Sequence, residues 1–298
     1  MDTRHQVRRR ITLIAVVLLV LAVGQVSIGD QYVRARQSDI DSSQAAGLTG
    51  VADTRDPGTD ELTAAVDCTD TGCPSAPSTL DKCVERTDFC VYYTTDSISE
   101  TEAEWAADVV QDYWNRFVSL GFNEPKHSGK LSVHLTDTTD CNGETGWSSN
   151  AISTYAGCFD TTLLAQKVLG HELTHRVQYA HDSGTGAPIQ TKFLKEGTAR
   201  ATEDNWFTEI DHWADALSHS SFNREANNYL TATNNDITSY AMRYKSCLWW
   251  KYAMEQYGTT LTEPQRGIDF VRQVYDQNTA GYSSIAAVNQ ALSSIGAS

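Results

Sequence analysis

The chain has 298 residues, 38 acidic against 23 basic side chains, and a formal net charge of −15. That length allows one large domain or two smaller ones, with ordinary apolar content for a buried core. Lys and Arg cluster only within the first ten residues, which excludes nucleic acid as a partner, because phosphate binding needs grouped cations. Asp outnumbers Glu 24 to 14, and 8 Lys stand beside 15 Arg. Such a surface suits high salt and equally suits an ordinary acidic secreted protein.

Residues 1–29 read as a targeting segment. Arg4, Arg8, Arg9 and Arg10 precede an apolar run from Ile11 to Ile28. A run that stops at Gly24 has signal-peptide length, with Ala22-Val23-Gly24 as a small-residue cleavage site; one that reaches Ile28 is just long enough to be a membrane anchor through residues 11–28. The adjacent arginines also fit twin-arginine export. In every case the positive end stays inside and the rest is exported, to an extracellular or cell-surface location. Seven cysteines agree with an oxidising destination. Pairing of neighbours gives Cys68–Cys73, Cys83–Cys90 and Cys141–Cys158, and leaves Cys247 as a buried thiol.

Residues 30–79 are rich in Ser, Thr, Asp, Gly and Ala without apolar periodicity, and read as a flexible linker. The folded part, residues 80–298, opens with a strand at Cys90–Thr94. Ser99 and Glu102 form a capping box that starts a helix, and Trp105, Val109, Val110, Tyr113, Trp114, Phe117 and Val118 make its apolar stripe up to Gly121. Leu131, Val133 and Leu135 alternate as a second strand, and Trp147–Tyr155 reads as an irregular or edge strand beyond a loop. Asp160 is placed to cap a helix over Thr161–Ala180. Further helices are expected over Lys192–Phe207, Ser220–Leu230, Tyr240–Tyr257, Pro264–Gln277 and Ser283–Leu292. Strands mixed with helices, followed by helices alone, give an α+β domain: a mixed N-terminal part with a small sheet, then the site helices, then a helical C-terminal part.

Chemistry concentrates in His171-Glu172-Leu173-Thr174-His175, an HExxH motif. On a helix, positions i and i+4 share a face, so both imidazoles reach one metal, and Glu172 lies beside them without being a ligand. Three carboxylates follow as candidates for a third ligand: Asp182, Glu196 and Glu203. Asp182 is too near the helix end to fold back. Glu196, 21 residues after His175, follows a loop and a helical return. Gly197 beside it lets that helix pack close to a neighbour. Glu203, or Asp204, is placed to hold the outer nitrogen of a zinc histidine. His127, His134 and His181 read as surface or loop residues.

With Glu196-Gly197-Thr198-Ala199 and Glu203, the motif resembles the gluzincin metallopeptidases, the clan of thermolysin and aminopeptidase N. A looser likeness, over Val91 to Gly258, is to secreted metallopeptidase-like proteins, through Gly121-Phe122-Asn123-Glu124-Pro125, Gln178-Tyr179 and the aromatic helix Trp249–Gly258. The Gly-x-Met-Glu-Asn exopeptidase signature of the aminopeptidases is missing. The resemblance implies Zn2+ held by His171, His175 and Glu196, Glu172 as general base and acid, and an oxyanion donor at Tyr244, with Tyr240, His212 and His219 as rivals. It implies an endopeptidase acting on a peptide or protein substrate. A metallopeptidase-like binding module without turnover, and a zinc amidase acting on a non-protein amide, are the alternatives.

Overall fold

The computed structural model describes residues 66–68, 72–74, 77–182, 191–206, 246–262 and 265–297. All of them fall in one unit, Leu62–Ser298. The targeting segment 1–29, the linker up to residue 65, the helix expected over Ser220–Leu230, and Tyr244 with its rivals lie outside the described residues. Among those described, no helix is long and apolar enough to cross a membrane.

The architecture is α+β. Six strands, β1 Val66–Asp67, β2 Lys82–Glu85, β3 Phe89–Tyr93, β4 Leu131–Thr136, β5 Gly143–Thr145 and β6 Ala151–Tyr155, form one mixed sheet in the order β1-β2-β3-β4-β6-β5. The centre is parallel, β3 to β4 and β4 to β6, and both flanks are antiparallel. Parallel neighbours need a crossover. Between β3 and β4 it is supplied by helix α1, Glu100–Ser119. Its start is the expected capping box: Ser99 Oγ accepts from the Glu102 backbone N–H, and Glu102 Oε2 accepts from the Ser99 backbone N–H at 2.8 Å. Its end is set by Gly121 in the left-handed region, φ 80°. Ala103, Ala106, Val110, Tyr113 and Phe117 are buried on the inner face, whereas Val118 of the expected stripe is exposed.

Two sequence expectations need correction here. Trp147–Tyr155 does not supply the sheet edge: β6 lies between β4 and β5, and the edge is Gly143–Thr145. The four N-terminal cysteines do not pair with their nearest neighbours either. Cys73 bonds to Cys90, while Cys141–Cys158 forms as expected. The reason is register. Across the antiparallel β2–β3 pair, Cys83 faces Tyr92 and Cys90 faces Glu85, so Cys83 and Cys90 are not partners. Cys68 instead comes beside Cys83, to which its thiol is hydrogen-bonded. The sheet thus reaches into the 30–79 segment, through β1 and the Cys73–Cys90 link.

Among the described residues five more helices follow: α2 Thr162–Ala180, α3 Lys192–Thr202, α4 Cys247–Tyr257, α5 Ile268–Thr279 and α6 Ser284–Ser294. A 3-10 turn over Ala156–Asp160 precedes α2, so its cap is Thr161, accepting from the Leu164 backbone N–H, rather than Asp160. α1 meets α2 at Gly170, where a Cβ would clash with the hydroxyl end of the Tyr113 ring. α3 meets α4 at Gly197, where a Cβ would meet Trp250 Cδ1 at 2.8 Å. Each glycine adjoins a residue of the HExxH–Glu constellation, so close helix contacts lie beside His171 and Glu196. The buried core runs continuously from the sheet through α1 and α2 to α4 and α5, which gives the site a rigid support.

Candidate metal centre

His171, Glu172 and His175 come from the middle of α2, and Glu196 from the first half of α3. The helix spacing places both imidazoles on one side of α2, ring centroids 4.7 Å apart and nearly perpendicular. Glu196 Oε2 lies 3.4 Å from Nε2 of each ring. Among the described residues, His171, His175 and Glu196 are the group whose donor atoms, all within 4.8 Å of one another, could hold a metal ion. Two imidazole nitrogens and one carboxylate oxygen suit a divalent first-row metal. All three residues line one cleft of about 430 Å³, together with Glu172 and the edge strand β5.

Both rings are oriented from behind. His171 Nδ1 is 2.8 Å from Glu203 Oε1, in the 3-10 turn that follows α3. Glu203 fills the supporting role expected of it, and it and Glu196 sit on opposite nitrogens of the same ring. His175 Nδ1 is 2.8 Å from Gln178 Oε1, one turn along α2. Gln178 carried no role in the sequence reading. The available signal was its i+3 spacing from His175 with a long amide side chain.

The charges are mutually compensated. Burial alone would raise the Glu196 pKa, yet its hydrogen bonds to His171 and His175 and to Lys192, at 2.9 Å, drive it far below the carboxylate range. Burial likewise opposes ionisation of Glu203, but Arg200 at 3.0 Å and His171 hold it at about 2. For His171, burial disfavours the cation, and Glu196 and Glu203 overcome it, raising the ring to about 9. These are two carboxylates pressing for positive charge at the point where a cation would sit. Glu172 differs: burial pushes its pKa up against the pull of His175 and His171.

The cleft wall is fixed by Arg176, which the sequence reading passed over. It is 1% exposed on α2 and donates to the carbonyls of Ser149 at 2.6 Å, Gly146 at 3.1 Å and Lys126. The Ser149 and Gly146 contacts tie α2 to the β5–β6 hairpin. β5 then runs so close to α2 that a Cβ on Gly143 would meet Glu172 Cγ at 2.8 Å. His181, expected at the surface, is buried at 1% exposure, with Nε2 accepting from the Asn123 backbone N–H at 2.9 Å. Comparison with protein-family models, with curated proteins and with solved structures finds no match.

Proposed function

We propose that the chain is an exported zinc endopeptidase of the gluzincin type. The observation that carries this reading is the convergence of His171, His175 and Glu196 on one point of a cleft that also holds a buried carboxylate, Glu172, outside the donor set. A binding module has no use for that extra base. His171, His175 and Glu196 are the residues that would hold zinc, and zinc bound there supplies Lewis acidity toward water and a carbonyl near neutral pH.

The chain's own groups do the rest. Glu172, with its proton affinity raised by burial, takes a proton from the attacking water and returns it to the leaving amine. Glu203 holds His171 in orientation, and Lys192 steadies the second oxygen of Glu196. Among the described residues β5 pairs only with β6, so an extended substrate can add along its other edge beside Glu172. Tyr244 is the proposed donor to the developing oxyanion, on the strength of the resemblance alone. The Cys73–Cys90 and Cys141–Cys158 links support an oxidising, extracellular or cell-surface destination.

The test is hydrolysis of casein and of blocked internally quenched peptides by the zinc-loaded chain, with fragments identified by mass. Internal cleavage is expected, and Glu172→Gln should lose at least about 100-fold in rate while its metal content stays normal. Near-normal hydrolysis by Glu172→Gln would remove this residue from the mechanism. Inertness of the zinc-loaded wild type toward every peptide would overturn the peptidase reading.

A further inference from the structure

A neutral imidazole binds metal through Nε2 only when its proton sits on Nδ1. In His175 two groups compete for that proton: Glu196 Oε2, 3.4 Å from Nε2, and the Gln178 amide, 2.8 Å from Nδ1. Glu196 pulls it to the atom the metal needs bare. The amide holds it on the correct atom only if its oxygen, and not its NH2 group, faces the ring.

The surroundings of the far end of the amide decide which it is. Gln178 Nε2 lies 2.8 Å from the Lys195 carbonyl oxygen, 2.9 Å from Thr198 Oγ1 and 3.0 Å from the Tyr275 hydroxyl oxygen. The carbonyl can only accept. Thr198 gives its one proton to the Leu194 carbonyl, 2.6 Å away. Tyr275 and Thr198 are 2.6 Å apart, and Thr198 has no proton left for that bond, so Tyr275 donates its own there. Every neighbour of this end is therefore an acceptor. It must be the NH2 group, and the oxygen must face His175. Burial raises the Tyr275 pKa, so the phenol keeps its proton. Its ring is held edge-on by Phe122, centroids 5.8 Å apart.

We infer that Gln178 is a positioning residue for the metal centre: its amide, locked by the Lys195 carbonyl, Thr198 and Tyr275, fixes His175 with the proton on Nδ1 and Nε2 turned to the metal. This rests on the reading of His175 as a ligand. It extends the centre to α5, which supplies none of its donors. The two histidines then differ, since His171 leans on a carboxylate and His175 on a neutral amide, and their donor strengths are set separately.

The experiment uses the full chain in two states. In the metal-free protein, long-range 1H–15N correlation of the histidine rings locates the proton on His175. In the metal-loaded protein, competition with a chromophoric chelator gives the zinc Kd. Wild type should carry the proton on Nδ1. Gln178→Leu should move it to Nε2, toward Glu196, and weaken zinc by about 10- to 100-fold. Gln178→Glu keeps an acceptor at Nδ1 and should keep the proton there; its second oxygen replaces the NH2 group against the Lys195 carbonyl, so the ring proton and not Kd is the readout for this variant. Tyr275→Phe, which leaves two acceptors for the NH2 group, should cost less than about 10-fold. Should Gln178→Leu not fold, Gln178→Met carries the same test. A bare Nδ1 in wild type, or an unchanged ring and Kd in the apolar variants, would overturn the inference. Absence of zinc binding by wild type would instead sink the metal reading, and the ring measurement would still decide the role of Gln178.

Discussion

Gly143→Ala probes the contact between the edge strand and the proposed base. A Cβ there would meet Val168 Cγ1 at 2.5 Å and Glu172 Cγ at 2.8 Å, against a comfortable carbon–carbon separation of about 3.5–4.0 Å. Strand and helix must part by roughly 1 Å, or Glu172 must leave its rotamer. Arg176 ties the hairpin to α2 at the Gly146 and Ser149 carbonyls, so the strand is not free to drift. Overpacking costs about 1–3 kcal/mol, and the alanine recovers about 0.4–1 kcal/mol from the unfolded chain. A net loss of roughly 1–2 kcal/mol is expected in denaturant unfolding. A misplacement of about 1 Å at the base should lower the rate about 100-fold, with metal content unchanged. Gly146→Ala is the control: its nearest neighbour would be Ser149 Oγ at 3.7 Å, and stability should move by less than about 0.5 kcal/mol. A Gly143→Ala protein with wild-type stability and rate would refute the argument that β5 presses on Glu172.

Two further outcomes follow from groups away from the cleft. Burial lowers the His181 pKa from 6.5 to about 4, with Arg272 assisting. The unfolded chain therefore takes up the proton first. Stability is fully present above pH 6.5 and is lost as the pH falls toward 4, by on the order of 3 kcal/mol at most. His181→Asn should flatten that limb of the stability curve, and an equally steep limb would assign it elsewhere. Peptide mapping without reduction should recover Cys73–Cys90 and Cys141–Cys158 links; a Cys83–Cys90 link would contradict the strand register, and a Cys68–Cys73 link would contradict the Cys73–Cys90 bond.

The sequence exposes what depends on local spacing and hides what depends on partners. The α1 capping box, its apolar stripe, the alternation in β4 and the i, i+4 histidines are all set within one or two turns of chain, and all are legible. Glu196 is legible for a related reason, since a Glu-Gly pair in the first half of a helix carries both a candidate donor and a close-packing residue. β5 is not: Gly143-Glu144-Thr145 has no apolar pattern and is a strand only because β6 pairs with it. The β2–β3 register, which forbids Cys83–Cys90, is likewise invisible until the strands are placed side by side. Arg176 lies beside Val177 on a helix otherwise read as apolar toward its core, and becomes intelligible only once the hairpin carbonyls surround its guanidinium. Gln178 falls between these cases. Its spacing from His175 is local, but the direction of its amide is fixed by Tyr275, 97 residues away.

The central claim, that Glu196 completes a zinc centre with His171 and His175, is tested most directly by metal content after dialysis against a mild chelator. Wild type should retain one zinc per chain and Glu196→Ala none. Glu203→Ala, which removes the support behind His171 but no donor of the centre, should still bind zinc, about 10- to 100-fold more weakly. Equal zinc in Glu196→Ala and wild type would contradict the assignment.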